Sequence, residues 1–443
     1  MIRSNDRRIG TRAGVLLAAA ALVVTACGDE TPTSIGEEVL PGAPVTLQLE
    51  IPWEDFGSNL EVFGGYGAPG DLGTGVLANA FDGSLNARTL LRFGTLPTSA
   101  SVRDTTGTTV TDSDLTFVGG ELVAVFSGPA SSAETPVSLT LGFMDEAWHR
   151  RSATWTHAVD TLGNSVLWSQ PGGGTVSPID TVTWDPAVGD SVSFALDSAQ
   201  VAEWDDVATR ALGARIDLLT AGHRLDVRSV ALRLSARPSV NPDTLVTVSA
   251  SESGVTFIYD PASTAPVDGI RVGGAPAWRT VLDLGVPTQL TGPAELCAAA
   301  GCPVTLEPGQ ISFASLVLTT RQTDGAFQPL DTLGLDARAV LSRDALPKAP
   351  LGAPVVGSLG RRLPAAYFGD EAEAQVEIPI TSLVRNILRG IDPTTGRPYP
   401  NSLALLSPFE PLSIAYGSFH GPGTGFAPVL KLIVTVGPSV ELP

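Results

Sequence analysis

An eleven-residue pattern that occurs twice in this chain of 443 residues constrains the fold most strongly. The first copy is ARTLLRFGTLP at residues 87–97, and the second is AWRTVLDLGVP at residues 277–287. Each copy has an Arg-Thr pair, alternating large apolar residues, and a Gly and a Pro that end the run. Such alternation is typical of a strand with one buried face. Because the copies lie about 190 residues apart, we expect two domains built from one module.

The rest of the chain is also predicted to form short strands separated by turns, since it contains 47 Gly and 35 Pro. Helical patterns are scarce. Residues 197–204 are expected to form a short helix capped by Asp197, and residues 382–390 another. We therefore predict an all-β fold with two tandem antiparallel jelly-roll-like β-sandwiches, over residues 45–237 and 243–438.

One hairpin is also predicted. The runs LTFV at residues 115–118 and ELVAVF at residues 121–126 flank Gly119 and Gly120. Two apolar runs separated by a glycine pair are a common signal for a tight β-turn. The two runs are therefore expected to be neighbouring strands.

The N-terminus has the pattern of an export signal. Arginines precede an apolar run at residues 15–24 that is too short to span a bilayer as a mature helix. The run ends in VTAC at residues 24–27, which resembles a bacterial lipobox, where cleavage precedes a diacylated Cys. Residues 1–26 are thus expected to be a lipoprotein signal peptide, and Cys27 the lipidated residue that anchors the protein to a membrane of the cell envelope. The alternative is an ordinary secretory signal with an incidental Cys.

The segment after this signal, residues 27–44, is polar and is expected to be a flexible tether. The chain carries a formal charge of −19, and removal of residues 1–26 makes it more acidic, because four Arg and one Asp are lost. Such a chain is poorly suited to bind nucleic acid or anionic lipid headgroups. We expect no nucleic-acid partner.

Two further cysteines, Cys297 and Cys302, lie close together in the sequence. In an exported protein such a pair is expected to form a disulfide that closes a small loop. A metal site is the alternative, but it lacks a nearby His or a further Cys.

Several short motifs in the N-terminal half resemble a DNRLRE-type domain, and they occur in the order of that family. They are RTLLRF at residues 88–93, EAW at 146–148, ATW at 153–155, Trp168 before a glycine cluster, and Trp204. The resemblance covers residues 45–237 and is looser in the second half, which lacks the tryptophan pair. It implies an extracellular β-sandwich of jelly-roll type, similar to carbohydrate-binding modules.

Tryptophans are the candidate ligand contacts. Trp53, Trp168 and Trp184 lie in Gly- and Pro-rich surroundings, so either an exposed ring that stacks on sugars or a core ring fits them. Trp155 and Trp204 are expected in the core. Arg88 and Arg279 occupy equivalent places in the two repeats, and an ion pair with a carboxylate at a sheet edge is favoured for them over ligand contact.

No standard metal or catalytic signature is present. His149 and His157 lie near Asp145 and Glu146, but the spacing matches no zinc motif, and a structural role is favoured. A structural Ca²⁺ is conceivable for a jelly roll, at Asp145 and Glu146 or at Asp112 and Asp114. No calcium-loop motif supports it, and no other cofactor is expected.

The sequence favours binding over catalysis. It has no Gly-x-Ser-x-Gly elbow and, beyond the three cysteines assigned above, no thiol nucleophile. We expect a non-catalytic, membrane-anchored binding protein, with polysaccharide as the ligand class that the resemblance implies. The alternatives are a structural or adhesive protein that contacts surface proteins, and an extracellular glycan-active enzyme.

Overall fold

The computed structural model describes residues 44–437, apart from residues 72, 276, 409 and 412. The predicted signal peptide and Cys27 lie outside the described residues, as does nearly all of the predicted tether. None of the helices within the described ranges is both long and apolar enough to cross a lipid bilayer.

Antiparallel strands are the main regular structure of the described chain, and helices are few and short, which confirms the prediction of an all-β fold. The strands up to residue 238 are β1 (Val45–Pro52), β2 (Gly57–Phe63), β3 (Gly75–Phe81), β4 (Leu85–Phe93), β5 (Ala100–Arg103), β6 (Thr109–Asp112), β7 (Leu115–Phe126), β8 (Val137–Met144), β9 (His157–Thr161), β10 (Asn164–Leu167), β11 (Val176–Trp184), β12 (Ser191–Asp197), β13 (Ala214–Leu218) and β14 (His223–Pro238). Those that follow are β15 (Val246–Ala250), β16 (Glu252–Asp260), β17 (Ile270–Gly273), β18 (Arg279–Leu284), β19 (Gln289–Leu290), β20 (Val304–Thr305), β21 (Ile311–Arg321), β22 (Leu333–Ala339), β23 (Arg361–Leu363), β24 (Gln375–Pro379), β25 (Ser402–Leu406), β26 (Tyr416–Phe419) and β27 (Val429–Val436).

The helices are short. They are α1 (Trp53–Phe56), α2 (Ser198–Asp205), α3 (Val207–Leu212), α4 (Ala294–Ala300) and α5 (Thr381–Arg389), with 3₁₀ turns at Pro69–Asp71, Gly128–Ala130, Pro308–Gln310, Gly325–Phe327, Arg343–Ala345 and Ala365–Phe368. Helices α2 and α5 confirm the two that the sequence predicts. Asp197 caps α2 as expected, because its side chain accepts a hydrogen bond from the backbone N–H of Gln200. The predicted disulfide between Cys297 and Cys302 is also confirmed.

The predicted hairpin at Gly119 and Gly120 is wrong, because both glycines lie inside the continuous strand β7. This strand pairs with β12 on one side and with β14 on the other, through the glycines themselves. A Cβ at Gly120 would come within 2.6 Å of the carbonyl oxygen of Arg233. The glycines therefore allow a close approach of strands instead of a turn.

Strands of the N-terminal half form one large sheet, which we call the N-terminal sheet. Its order is β11-β8-β13-β4-β3-β14-β7-β12, with β15 added to β14 and β16 added to β4. The sheet curls until its end strands meet, as shown by the hydrogen bond of 2.8 Å from the backbone N–H of Ala195 in β12 to Asp180 in β11. An apolar core that includes Phe93, Phe143 and Trp204 fills the enclosed space.

The C-terminal half forms a sandwich of two sheets, which we call the C-terminal sandwich. One sheet has the order β1-β27-β21-β26-β17, with β24 paired to β21, and the other has the order β2-β18-β25-β22-β23. Side chains of both sheets share one core, to which Ile51, Leu282, Leu316 and Phe419 contribute.

Strand pairing does not follow the domain boundaries predicted at residues 237 and 243. Strands β1 and β2 come from the N-terminal half but pair with β27 and β18 of the C-terminal sandwich. In return, β15 and β16 come from the C-terminal half but pair with β14 and β4 of the N-terminal sheet. We call this arrangement the strand exchange. Residues 45–63 and 246–260 thus complete sheets to which the predicted boundaries did not assign them.

The two halves are packed together around buried apolar side chains. Val76 and Phe257 on the N-terminal sheet lie in one core cluster with Trp278 and Tyr416 of the C-terminal sandwich. Tight packing of this kind holds the residues on either side of the junction in fixed relative positions.

The repeated pattern has a structural basis in its threonine. Thr89 and Thr280 are fully buried. Thr89 donates a hydrogen bond of 3.1 Å to the carbonyl oxygen of Val76, and Thr280 one of 2.9 Å to that of Arg271. Each hydroxyl therefore satisfies a backbone carbonyl of the strand that precedes it in the chain.

A candidate binding cleft beside the crossover loop

Residues 261–269 lead from the exchanged strand β16 back to β17, and we call them the crossover loop. Together with the ends of β17, β21 and β26, this loop encloses a cavity of about 950 Å³. We call this cavity the loop cleft. Its size lies within the range of known ligand sites, about 300–1,000 Å³.

Three polar side chains form a row across the floor of the loop cleft. Strand β26 lies between β17 and β21, and Ser418 pairs with Arg271 on one side and with Arg321 on the other. Directly opposed residues in antiparallel strands project from the same face of the sheet. The sheet therefore places one guanidinium group on each side of the Ser418 hydroxyl, that of Arg271 on one side and that of Arg321 on the other.

Two aromatic rings with little exposed surface, Tyr416 at 3% and Phe327 at 4%, pack beside this row. Tyr416 lies two residues before Ser418 and so projects from the same face. Its ring stacks on Phe327 at a centroid distance of 5.5 Å, and the guanidinium of Arg271 lies 4.0 Å above it. The next position, Gly417, faces the core of the sandwich, where a Cβ would come within 2.4 Å of Leu333.

The crossover loop is held in place by side chains of the cleft and its surroundings. Trp278 donates a hydrogen bond of 3.0 Å to the hydroxyl of Ser263. Arg271 donates to the carbonyl oxygen of Thr264, and Arg321 donates to that of Asp268 at 3.2 Å. The wall of the cleft is thus formed before any ligand binds, which lowers the entropic cost of binding.

The opposite wall comes from the loop after β26. His420 packs against Phe426 at a centroid distance of 4.8 Å, and 43% of Phe426 is exposed. Burial lowers the pKa of His420, and the positive charge of Arg321 lowers it further. The imidazole is therefore neutral at neutral pH.

Charges in the loop cleft are nearly balanced. Asp268 and Asp324 line it together with Arg271 and Arg321. The Nε atom of Arg271 is buried and has no hydrogen-bond partner among the described residues. The exposed ring of Phe426, in one cavity with fixed hydrogen-bond donors and acceptors, is suited to a neutral ligand that has both apolar faces and hydroxyl groups.

The three candidate tryptophans do not form an exposed surface. Trp53, Trp168 and Trp184 are 9%, 5% and 3% exposed. The indole N–H of Trp168 donates to the carbonyl oxygen of Thr154, and that of Trp184 donates to Gly189, both at 2.9 Å. Their rings cannot stack on a sugar, because protein atoms already cover them, so that hypothesis is wrong for the described conformation.

Tryptophans of the resemblance motifs are mainly structural as well. Trp204 is buried between Phe93 and Phe143, as expected. Trp155 is only partly buried, with the guanidinium of Arg88 5.1 Å from its ring centroid. The expectation that both rings lie in the core is thus confirmed for Trp204 only.

The repeated arginines form the predicted ion pairs. Arg88 lies 3.5 Å from Asp217, and Arg279 lies 2.9 Å from Glu410. The glycine cluster before β11 packs nearby, where Arg215 donates hydrogen bonds of 2.9–3.2 Å to three successive carbonyl oxygens, at Gly172, Gly173 and Gly174. These hydrogen bonds hold the glycine loop of residues 172–174 against Arg215 and leave little room for a ligand between them.

Three of the four suggested calcium ligands, Asp145, Glu146 and Asp112, already have protein partners. Asp145 accepts hydrogen bonds from Thr175 and Ser177, and Glu146 accepts from Ser169. Asp112 accepts from the backbone N–H groups of Asp114 and Val240, and from Ser239. Within the residues that the structure describes, no group of three or more His, Cys, Asp or Glu is arranged to hold a metal ion.

Sequence reasoning missed the residues of the loop cleft. Arg271 lies outside the second repeat of residues 277–287, and Ser418 and Arg321 belong to no motif. They come together because β26 inserts between β17 and β21, a long-range pairing that a single sequence does not show. The exposed aromatic residue Phe426, next to several glycines, was the only local signal.

No family model and no curated protein matches the chain. Among solved structures, the C-terminal domain of the Streptococcus pyogenes antigen I/II-family protein AspA aligns with 72% of this chain and 77% of its own length, at 9% identity and a TM-score of 0.12. A chain described as BspA_C_WT aligns with 72% of this chain and 76% of its own, at 7% identity and a TM-score of 0.11. Scores this low carry no argument about function, and the all-β fold follows from the strand pairing of the chain itself.

Proposed function

We propose that this protein is a non-catalytic binding protein of the cell envelope, anchored through lipid on Cys27, and that its loop cleft binds a glycan. The observation that carries the proposal is the row of Arg271, Ser418 and Arg321 in the same cleft as the exposed ring of Phe426.

The chemistry of a sugar chain fits this arrangement. A pyranose ring has an apolar face that packs on aromatic rings, and hydroxyl groups that both donate and accept hydrogen bonds. Guanidinium groups supply several donors in a fixed geometry, and the carboxylates of Asp268 and Asp324 accept. A cavity of about 950 Å³ has room for more than one sugar ring.

A glycan array tests this proposal. The chain from residue 28 onward is compared with the variant Phe426→Ala, which removes an exposed ring from the cleft wall. Leu245→Ala is the matched control, because Leu245 is also an exposed apolar side chain, at 59%. We expect Phe426→Ala to lose binding to the glycans that the unmodified chain selects, and Leu245→Ala to keep it.

Two outcomes would contradict the proposal. If Phe426→Ala and Leu245→Ala bind equally well, the glycan binds outside the loop cleft. If the unmodified chain binds no glycan on the array, the ligand is not a glycan. Mass analysis of the bound glycan is the second readout. Shortened products would support the alternative of a glycan-active enzyme.

The membrane anchor is tested separately. In cells, Cys27→Ser is expected to move the protein from the membrane fraction to the soluble fraction, because the variant has no thiol to carry the acyl chains. Retention in the membrane fraction would contradict lipidation at this residue.

An adhesive role is the second candidate, and a specific surface favours it. The hairpin of β9 and β10 forms a two-stranded sheet of its own, and Leu162 and Leu167 on it are 107% and 66% exposed. Several exposed apolar side chains on one small sheet, from the turn at Leu162 to the strand end at Leu167, are suited to a contact surface. Loss of self-association or of partner capture in a Leu162→Ser, Leu167→Ser variant would support this role.

A further inference from the structure

The crossover loop borders a second cavity on the side away from the loop cleft. This cavity has a volume of about 390 Å³, and we call it the edge cavity. Residues 266–269 of the crossover loop line both cavities. The edge cavity also lies within the size range of known ligand sites, about 300–1,000 Å³. One short stretch of the loop therefore has a space of ligand size on each of its two sides.

Edge strands of the C-terminal sandwich form the edge cavity. Strand β2 lies at the end of one sheet, and β17 lies at the end of the other. The cavity is lined by residues 265–269, which lead into β17, by Pro422 and Gly423, by Trp53, and by Ser58, Asn59, Leu60 and Val62 of β2. On its outer side β2 has no neighbouring strand among the described residues, so backbone N–H and C=O groups on that side have no strand partner.

A narrow ridge separates the two cavities, and it consists of the crossover loop and the loop after β26. The two loops touch at glycines, where a Cβ at Gly421 would come within 2.5 Å of the carboxylate of Asp268 and within 2.7 Å of the backbone nitrogen of Gly269. Arg321 holds the ridge from the side of the loop cleft, since it donates to the carbonyl oxygen of Asp268 at 3.2 Å. Glycines allow this close approach of backbones, which keeps the ridge narrow.

The top of the ridge is apolar. Val267 is 108% exposed, and both Val267 and Pro266 line the two cavities. A linear molecule that passes from one cavity to the other has to cross these side chains. The apolar face of a sugar ring is suited to cover them, because covering a fully exposed apolar side chain removes its surface from water.

We propose that the glycan site continues from the loop cleft across the ridge into the edge cavity, and that its ligand is a linear glycan chain that occupies both cavities. This inference rests on the glycan binding proposed for the loop cleft. Pro266 and Val267 contact the sugars that cross the ridge, and the polar side chains of Ser58 and Asn59 contact those in the edge cavity. Two linked parts of one chain bind two adjacent cavities more tightly than a short piece binds one of them.

The test is calorimetric titration of the chain from residue 28 onward with linear neutral oligosaccharides. The probes have two, four or six sugar units and come from cellulose, amylose, mannan, xylan and chitin. We expect at least one series to bind, and its affinity to rise by about tenfold or more from the shortest member that binds to the longest. The stoichiometry is expected to stay at one, because a single chain occupies both cavities.

Two exposed alanines of the crossover loop provide a matched pair of variants. Ala262 lines the loop cleft but not the edge cavity, and Ala265 lines the edge cavity but not the loop cleft. Ala265→Leu is expected to remove the gain in affinity with chain length and to bind the shortest ligand as the unmodified chain does. Ala262→Leu is expected to weaken binding of every member of the series. Ser58→Leu, on the opposite wall of the edge cavity, is a second variant and is expected to behave like Ala265→Leu.

Two results would overturn the inference and leave the function proposed for the loop cleft intact. An affinity that is the same for short and long members, and is weakened by Ala262→Leu, would confine the glycan to the loop cleft. A gain with chain length that persists in both Ala265→Leu and Ser58→Leu would show that the additional sugars do not enter the edge cavity. If no member of any series binds, both the inference and the glycan ligand of the loop cleft are contradicted.

Discussion

At the scale of single residues, tryptophans in this protein mainly fill space between strands and close loops. The sequence places Trp168 and Trp184 among glycines and prolines, which allowed an exposed or a buried ring. Their burial depends on chain segments that pack over them, and local composition does not report such packing. Trp204 was predictable, because it follows a capped helix start whose apolar side has to face a core.

Trp204→Ala tests this packing. Removal of a fully buried indole between two phenylalanine rings is expected to lower the free energy of unfolding by about 3–5 kcal/mol. Trp155→Ala is the matched variant and is expected to cost clearly less, because its ring is only partly buried under Arg88. Denaturant unfolding of both variants measures the difference. Equal losses of unfolding free energy in the two variants would contradict the placement of Trp204 in the core and of Trp155 at its periphery.

Asp112 gives the protein an acid-sensitive contact at the joint between the halves. Hydrogen bonds from the backbone N–H groups of Val240 and Asp114 lower the pKa of this carboxyl group. A carboxyl group whose pKa is lower in the folded state stabilises the protein above its unfolded pKa of about 3.9. This stability is lost as the pH falls through the folded pKa.

We therefore expect Asp112→Asn to melt at a lower temperature than the unmodified chain at neutral pH, and the difference to shrink as the pH is lowered to about 3. Melting temperatures across this range measure the effect. A difference that stays constant with pH would show that the charge of Asp112 does not contribute.

At the scale of elements, the alternation of apolar and polar residues predicts strands but not their partners. The alternation in β1 and β27 predicts two half-buried strands, and both exist. It does not predict that Val45 lies opposite Val436, because pairing between strands so far apart depends on the whole fold. The strand exchange follows from such long-range pairs, and the predicted boundaries missed it for that reason.

The strand exchange predicts how fragments of the chain behave. A fragment of residues 243–438 lacks β1 and β2, so β27 and β18 lose neighbours and the core loses Ile51 and Phe56. We expect this fragment to show no cooperative thermal transition. A permuted fragment, with residues 264–437 followed by a short Gly/Ser linker and residues 45–63, is expected to unfold cooperatively. Equal cooperativity in both fragments would mean that β1 and β2 are dispensable.

At the scale of the whole molecule, the strand exchange brings the crossover loop to the mouth of the loop cleft. The loop starts at the end of β16 in the N-terminal sheet and returns to β17 in the C-terminal sandwich. It is held by Trp278, Arg271 and Arg321 at both ends. We propose that this fixed wall and the row of Arg271, Ser418 and Arg321 together form a preformed glycan site.

The most direct test is the dissociation constant of an array-selected oligosaccharide, measured by calorimetric titration. The unmodified chain is compared with Arg321→Gln, which removes one end of the row, and with Arg233→Gln, a control at an exposed arginine paired to Glu121 on the N-terminal sheet. Loss of a charged hydrogen-bond donor is expected to weaken binding by about tenfold or more for Arg321→Gln. Arg233→Gln is expected to bind like the unmodified chain, and an unchanged affinity in Arg321→Gln would contradict the claim.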